Sequence, residues 1–200
     1  MKGPVAFRPG SYRDFTGYVN CGGQEGYATN ATFTITKGNH VKWHRGTWRG
    51  NLSNVKWEDG IMLEGSLTVC AWDGGVFKGG RLESCYWFGG EFHDGMFDGT
   101  WGGGVWHGGV WNNGIWMDGE WHGGVWNEGI WCKGTWHGGT WLGGSWQEGT
   151  WLDGSWMKGT WRYGTWMKGV WSGGVWLNGW RYRPDLMKCV KTSVEPGGAR

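Results

Sequence analysis

Four histidines recur at nearly even intervals in the middle of the chain, and imidazole nitrogen is a common ligand of transition metals. They are His93, His107, His122 and His137, and each directly follows a large aromatic residue. If the segments that carry them stack, the four side chains form one outward column spaced by one repeat. The competing interpretation is that the four histidines are a row of solvated surface side chains with no ligand, which recur because the repeat was duplicated. No carboxylate or cysteine is evidently placed to complete a site, so we assign no metal ligand and no cofactor.

Other residues capable of catalysis are dispersed along the chain. The acids stand mostly at expected corners and alternate with lysines: Asp59, Asp118, Glu128, Glu148 and Asp153 with Lys133, Lys158 and Lys168. This pattern favours a mixed, solvated surface. Gly-Gly pairs such as Gly108-Gly109 resemble phosphate loops, but no helix follows them. No serine has the context of a nucleophile. The sequence therefore predicts a protein that is not an enzyme, with no catalytic or cofactor-binding residue.

These side chains belong to a repeat of five residues, G-x-W-x-x. From Trp101 to Trp176, sixteen tryptophans follow one another at a step of five, each with a glycine two residues earlier. Before Trp101, other large apolar residues hold the same position: Leu52, Trp57, Met62, Leu67, Trp72, Phe77, Leu82, Trp87, Phe92 and Phe97. A fixed short period of this kind indicates a solenoid.

The less regular half of the repeat shows a longer period of fifteen residues. Trp recurs at 57, 72 and 87, Leu at 67 and 82, and Cys at 70 and 85, while W-H-G-G recurs at 106, 121 and 136. The stretches that begin at Trp43 and Trp87 are each one residue short. Three pentads thus form one coil.

The pentad has the features of a short strand followed by a corner. In extended backbone, residues two apart share a face, so each tryptophan and its preceding glycine point the same way. The intervening residue is often β-branched, as strands prefer, and the two residues after the tryptophan are polar or glycine. We predict an all-β, single-chain β-solenoid of about nine three-sided coils with Trp inward, a rod of about 43 Å at the strand spacing. The alternative is that the tryptophan side chains face outward and form ladders on the surface, which would expose a large apolar patch to solvent.

This G-x-W-x-x pattern resembles the pentapeptide-repeat proteins, over roughly residues 43–180. That family forms β-helices with a large apolar residue in each pentad and a small one two places before it. It uses Leu or Phe with Ala and closes each coil with four pentads, whereas Trp, Gly and three pentads are indicated here. The unit is also similar to MORN repeats, which are longer hairpins, and to Trp–Gly pentad runs in uncharacterised proteins of large tailed phages.

The ends of the chain depart from the repeat. Residues 1–42 are predicted to form an N-terminal cap, in which Ala31–Gly38 alternates as a strand with Phe33 and Ile35 on one face. A solenoid needs such a cap because its terminal coil has an unpaired edge. Residues 43–180 form the repeat domain, and the mildly basic residues 181–200 are predicted to be a docking tail.

The five cysteines form no C-x-x-C pair and are odd in number. We expect free thiols in a reducing compartment. Cys70 and Cys85 fall on the small position of the pentad, which predicts buried, unreactive thiols.

Charge and hydropathy limit the partners. The net charge is +2, from 19 basic and 17 acidic residues, which gives no electrostatic reason to expect nucleic acid or an anionic membrane. Neither a signal peptide nor an apolar run of about 18 residues is present in the sequence. We expect a virion or cytoplasmic location.

These features favour a structural or interaction protein, most specifically a phage virion component of the tail, baseplate or fibre. Protein partners would contact the N-terminal cap and the C-terminal tail, and a homo-oligomer is possible on this reasoning. One alternative is a soluble binding module with a topoisomerase-type partner, which the resemblance to pentapeptide-repeat proteins implies, although DNA mimicry needs an acidic face. Another is a carbohydrate or cell-surface binder that uses exposed Trp.

Overall fold

The computed structural model describes residues 5–6, 9–21, 24–36 and 40–196 and shows an all-β, single-chain β-solenoid of about nine coils. The chain forms two compact units, residues 1–99 and 100–200. The segment limits at 42/43 and 180/181 follow the sequence repeat and stay a prediction. Within the described ranges, no helix is both long and apolar enough to cross a membrane.

The strands are long near the N-terminus and two residues long in most of the repeat. The first ten are β1 (Val5–Ala6), β2 (Gly10–Cys21), β3 (Gln24–Ile35), β4 (Val41–Trp57), β5 (Ile61–Glu64), β6 (Ser66–Trp72), β7 (Val76–Phe77), β8 (Arg81–Trp87), β9 (Glu91–Phe92) and β10 (Met96–Trp101). The next eight are β11 (Val105–Trp106), β12 (Val110–Trp116), β13 (Glu120–Trp121), β14 (Val125–Trp126), β15 (Ile130–Trp131), β16 (Thr135–Trp136), β17 (Thr140–Trp141) and β18 (Ser145–Trp146). The last are β19 (Thr150–Trp151), β20 (Ser155–Trp156), β21 (Thr160–Trp161), β22 (Thr165–Trp166), β23 (Val170–Trp171), β24 (Val175–Trp176), β25 (Gly179–Arg183) and β26 (Lys188–Thr192), with a 3-10 helix at Pro184–Leu186.

In the second unit, each strand from β11 to β22 pairs in parallel with the strand fifteen residues later. Trp106 lies beside Trp121, and Trp121 lies beside Trp136. The same step relates the strands on the other two sides of the coil. Backbone hydrogen bonds join the coils, for example from the N–H of Thr135 to the carbonyl of Gly119 at 3.0 Å. The predicted coil of three pentads and fifteen residues is confirmed.

The tryptophans fill the inside of each coil, as predicted. All those from Trp101 to Trp161 are fully buried, so the outward arrangement is wrong. Indoles that lie one coil apart stack nearly parallel. The ring centroids of Trp111 and Trp126, for example, are 4.7 Å apart, and the interplanar angle is 3°. Neighbouring columns meet edge to face, as between Trp121 and Trp126 at 6.0 Å and 73°. Both geometries are favoured by the aromatic quadrupole.

The first unit begins with a parallel pair, β1 and β2, and continues with antiparallel strands. β2 pairs with β3, and β3 pairs with β4, before β4 starts the parallel stacking by pairing with β5 and β6. Phe33 and Ile35 are buried, which confirms the predicted inward face of this strand. Residues 37–39, at the end of the predicted Ala31–Gly38 strand, lie outside the described residues.

The coil that begins at Trp43 is one residue short, yet it keeps the stack. The Trp43 and Trp57 rings are parallel, with centroids 4.9 Å apart. The register between β4 and β5 shifts between Trp48 and Arg49, which pair with Met62 and Glu64. The missing residue is therefore absorbed by a local bulge, and the core positions stay aligned.

The prediction of free thiols at Cys70 and Cys85 is wrong, because the two residues form a disulfide. Both are buried, as expected. Residues fifteen apart lie directly above one another, and the Cα atoms of this pair are 4.5 Å apart, within the range that a disulfide spans. Cys132 and Cys189 are free, while the Cys21 side chain lies outside the described residues.

Candidate functional site

The most chemically distinctive surface of the second unit is a row of glutamate and histidine side chains on adjacent coils. Glu120 and His122 flank the buried Trp121 of β13, so strand alternation points both away from the core. His137 follows Trp136 in the same way, one coil later. We call Glu120, His122 and His137 the His–Glu cluster.

The three side chains approach closely enough to act together. The Nε2 atom of His122 lies 3.1 Å from Oε2 of Glu120, and Nε2 of His137 lies 3.9 Å from the same oxygen. One ligand atom from each residue lies within 4.8 Å of the other two. The two imidazole rings are stacked, with centroids 4.4 Å apart and an interplanar angle of 9°.

The predicted histidine column is present within this unit. His107 precedes His122 by one coil, with ring centroids 5.5 Å apart. His93 belongs to the first unit, where its Nε2 lies 3.0 Å from Glu91 Oε2 and 3.3 Å from Lys78 Nζ. The structure thus brings His107, His122 and His137 together.

The expectation that no carboxylate accompanies the histidines is wrong. Glu91 and Glu120 each stand two residues before a histidine, and the alternation of a strand places the two side chains on one face. The spacing E-x-H was the signal in the sequence. The aromatic residue between them, Phe92 or Trp121, faces the core, so the glutamate and the histidine share the outer face.

Two of the corner acids, Asp118 and Asp153, have lysine partners one coil away. Lys133 Nζ lies 3.0 Å from Asp118 Oδ2, and Lys168 Nζ lies 2.9 Å from Asp153 Oδ2. The hydrogen bond from Lys168, followed by that from the Gly154 backbone, lowers the pKa of Asp153. The two ion pairs therefore link adjacent coils at the surface, in agreement with the interpretation of a mixed, solvated surface.

Shallow grooves run where glycines replace larger corner residues. One, of about 530 Å³, lies between Glu128 and Lys158 and is floored by Gly143 and Gly144. Another, of about 430 Å³, lies beside Asp118 and Glu120. Both open to solvent, and the second gives water and ions access to the Glu120 carboxylate.

The C-terminal end of the second unit differs from its interior coils in strand pairing and in the exposure of apolar side chains. β25 pairs with β22 and then turns back antiparallel to β26. The side chains of Val170, Val175 and Leu177 on the last coil are 59%, 52% and 51% exposed. The sequence had singled out residues 181–200 as a docking tail, but it gave no sign that the last coil also carries an apolar surface.

The chain matches no protein-family model, no curated protein and no solved structure.

Proposed function

We propose that the chain is a non-enzymatic structural or interaction protein that docks onto other proteins through the C-terminal end of its solenoid. The observation that carries the proposal is the exposed apolar surface of the last coil, formed by Val170, Val175 and Leu177. Within the second unit, these side chains are more exposed than the outward Ile115 and Ile130, at 39% and 40%, which have a later coil beside them. Exposed apolar patches of this kind mark interaction sites.

The backbone of the last coil supports the same surface. Among the described residues, β23 and β24 pair with β20 and β21 one coil earlier and with no strand one coil later. An unpaired strand edge is a template for added strands from a partner. The apolar side chains and the open edge occupy the same end, so one protein surface can satisfy both.

Charge specifies the partner further. The hairpin formed by β25 and β26, which follows the last coil in the chain, carries Arg181, Arg183, Lys188 and Lys191. Asp185 pairs with Arg183, with Nη2 and Oδ2 2.8 Å apart, and thereby raises the pKa of that guanidinium. Lys188 and Lys191 favour a protein surface that combines apolar residues with carboxylates.

The most specific form of this function is a phage virion component of the tail, baseplate or fibre. The regularity of the repeat and the likeness of its pentads to Trp–Gly runs of tailed phages support it. A stack of coils with a packed aromatic core would serve as a spacer or docking platform, and the terminal elements would make the specific contacts.

The test is incorporation of the chain into purified particles, measured by quantitative mass spectrometry. We expect a fixed copy number for the natural protein and a loss of at least about tenfold for Leu177→Glu, because a buried unpaired charge opposes docking. Ile130→Glu, which changes an equally apolar residue on an interior coil, is the matched control and should be incorporated normally. Absence of the natural chain from the particles would reject the virion role, and equal incorporation of both variants would reject the docking surface.

A further inference from the structure

We propose that the His–Glu cluster of Glu120, His122 and His137 binds one divalent transition-metal ion, with zinc as the probe. Two imidazole nitrogens and one carboxylate oxygen form a donor set that suits zinc and its neighbours in the first transition row. The ion would link two consecutive coils on the outer surface. Neither the resemblance to repeat proteins nor the proposed docking role assigns this site.

The distances within the cluster fit one ion. Bonds of about 2.0 Å to a tetrahedral zinc place neighbouring ligand atoms about 3.3 Å apart. The two separations from Glu120 Oε2, 3.1 Å to His122 Nε2 and 3.9 Å to His137 Nε2, lie on either side of that value. The ligand atoms of His122 and His137 lie within 4.8 Å of each other, so the side chains must rotate to bring all three atoms to coordination distance.

His137 supplies an independent indication. Its Nε2 atom is buried and, within the described residues, has no hydrogen-bond partner. A buried polar atom without a partner costs free energy, and metal coordination removes that cost. The Glu120 carboxylate near it also offsets part of the charge of a divalent ion.

The main chain holds the ligands in place. The N–H of His122 donates to the Trp106 carbonyl at 2.8 Å, and the N–H of His137 donates to the Trp121 carbonyl at 2.7 Å. These bonds fix the two backbones one coil apart, so little conformational entropy is lost on binding.

The side chains need only a local rotation. The two imidazole rings lie in nearly parallel planes, 9° apart, whereas a shared ion requires their nitrogen atoms to converge on one point. The side chains of Glu120, His122 and His137 are 56%, 39% and 36% exposed, which leaves room for this rotation. Water fills the remaining coordination positions, as it does in open zinc sites.

The experiment is calorimetric titration of the full-length protein with Zn²⁺, supported by the visible absorption of bound Co²⁺. We expect one tight binding event that is weakened at least about tenfold by His137→Gln and by Glu120→Gln. A zinc-dependent rise in melting temperature should disappear in the same variants, because the ion links two coils.

Matched controls separate this site from weak binding to other surface groups. His40→Gln and Glu128→Gln change residues of the same types outside the cluster and should leave the tight event intact. Near-ultraviolet circular dichroism of each variant verifies that the tryptophan columns are unchanged. Absence of a tight event in the natural protein, or equal affinity in the cluster variants and the controls, would overturn the proposal.

Discussion

At the residue scale, the glycine of each pentad is required by the backbone more than by the neighbouring indole. Gly139 has a φ of +110°, a conformation that side chains disfavour. A Cβ atom there would lie 2.5 Å from the carbonyl oxygen of Gly124 on the preceding coil. The stacked main chains leave no room for any side chain.

Replacing this glycine should therefore destabilise the solenoid. For Gly139→Ala we expect the free energy of unfolding to fall by at least about 1–3 kcal/mol, from backbone strain and the clash with Gly124. Urea denaturation of the purified variant measures it. Gly138→Ala is the matched control, since its Cβ would meet only the His122 carbonyl at 3.7 Å. Equal stability of the two variants would refute the backbone argument.

Glu58 joins two basic side chains near the start of the repeat. Lys42 Nζ lies 2.9 Å from its Oε1, and His44 Nδ1 lies 2.7 Å from its Oε2. The hydrogen bond from Lys42, followed by that from His44, lowers the pKa of Glu58 below its ordinary value of 4.5. The stabilisation from this carboxylate is therefore present above pH 4.5 and is lost as the pH falls through the lowered pKa.

Glu58→Gln should remove this dependence on pH. We expect the variant to be about 0.5–1 kcal/mol less stable at neutral pH, as for a partly exposed ion pair, and to converge with the natural protein in acid. Thermal denaturation followed across this pH range measures the difference. Glu64→Gln, whose carboxylate is 61% exposed beside Arg49, is the control with the smaller expected effect. A constant difference at all pH values would contradict the linkage.

At the scale of elements, the pentad strand is too short to be stable alone, and stacking supplies what it lacks. Two-residue strands such as Thr150–Trp151 hold their place through hydrogen bonds to the coils on either side and through the aromatic columns. The stability of such a repeat is a sum of coil and interface contributions.

The disulfide in the first unit adds a covalent link between two such coils. Cys70 and Cys85 join β6 to β8, and the bond closes a loop of fifteen residues. In the chain-entropy model this is worth about 3 kcal/mol. We expect Cys70→Ser with Cys85→Ser to unfold at lower urea concentration, and dithiothreitol to have the same effect on the natural protein.

Peptide mapping without reduction should recover Cys70 and Cys85 in one linked fragment. Cys132→Ser, which removes a thiol of the second unit whose pKa is raised by burial, is the control and should keep the sensitivity to dithiothreitol. Identical denaturation curves with and without reductant would show that the link is absent in solution.

At the scale of the whole molecule, one coil is an interchangeable module. Deletion of residues 141–155 joins Thr140 to Trp156 and keeps both the pentad step and the fifteen-residue register. We expect a cooperatively folded protein with the near-ultraviolet circular dichroism of stacked indoles and a slightly lower melting temperature. Deletion of residues 141–152 breaks the pentad step and should lose that signal. If both deletions fold equally well, the register does not determine the fold.

The sequence by itself determined the architecture, because each feature of the lattice repeats many times. Tryptophan at a step of five and residue identities at a step of fifteen specified strand, corner, inward face and coil length without knowledge of any single contact. A local sequence pattern is sufficient to predict the fold when every repeat unit packs against a copy of itself. The inward direction of the indoles and the three-sided coil followed from these patterns and are confirmed.

Only the tertiary structure decided which residues of different coils meet. The Cys70–Cys85 bond, the approach of Glu120 to His137 and the exposed end at Val175 depend on distances across the stack. The two members of each contacting pair are fifteen or more positions apart in the sequence. Val175 differs from the equivalent residues of earlier coils only because, in the described part of the chain, no coil follows it. The physical reason is the parallel stacking of coils at the spacing of β-strands, which turns a sequence separation into a direct contact.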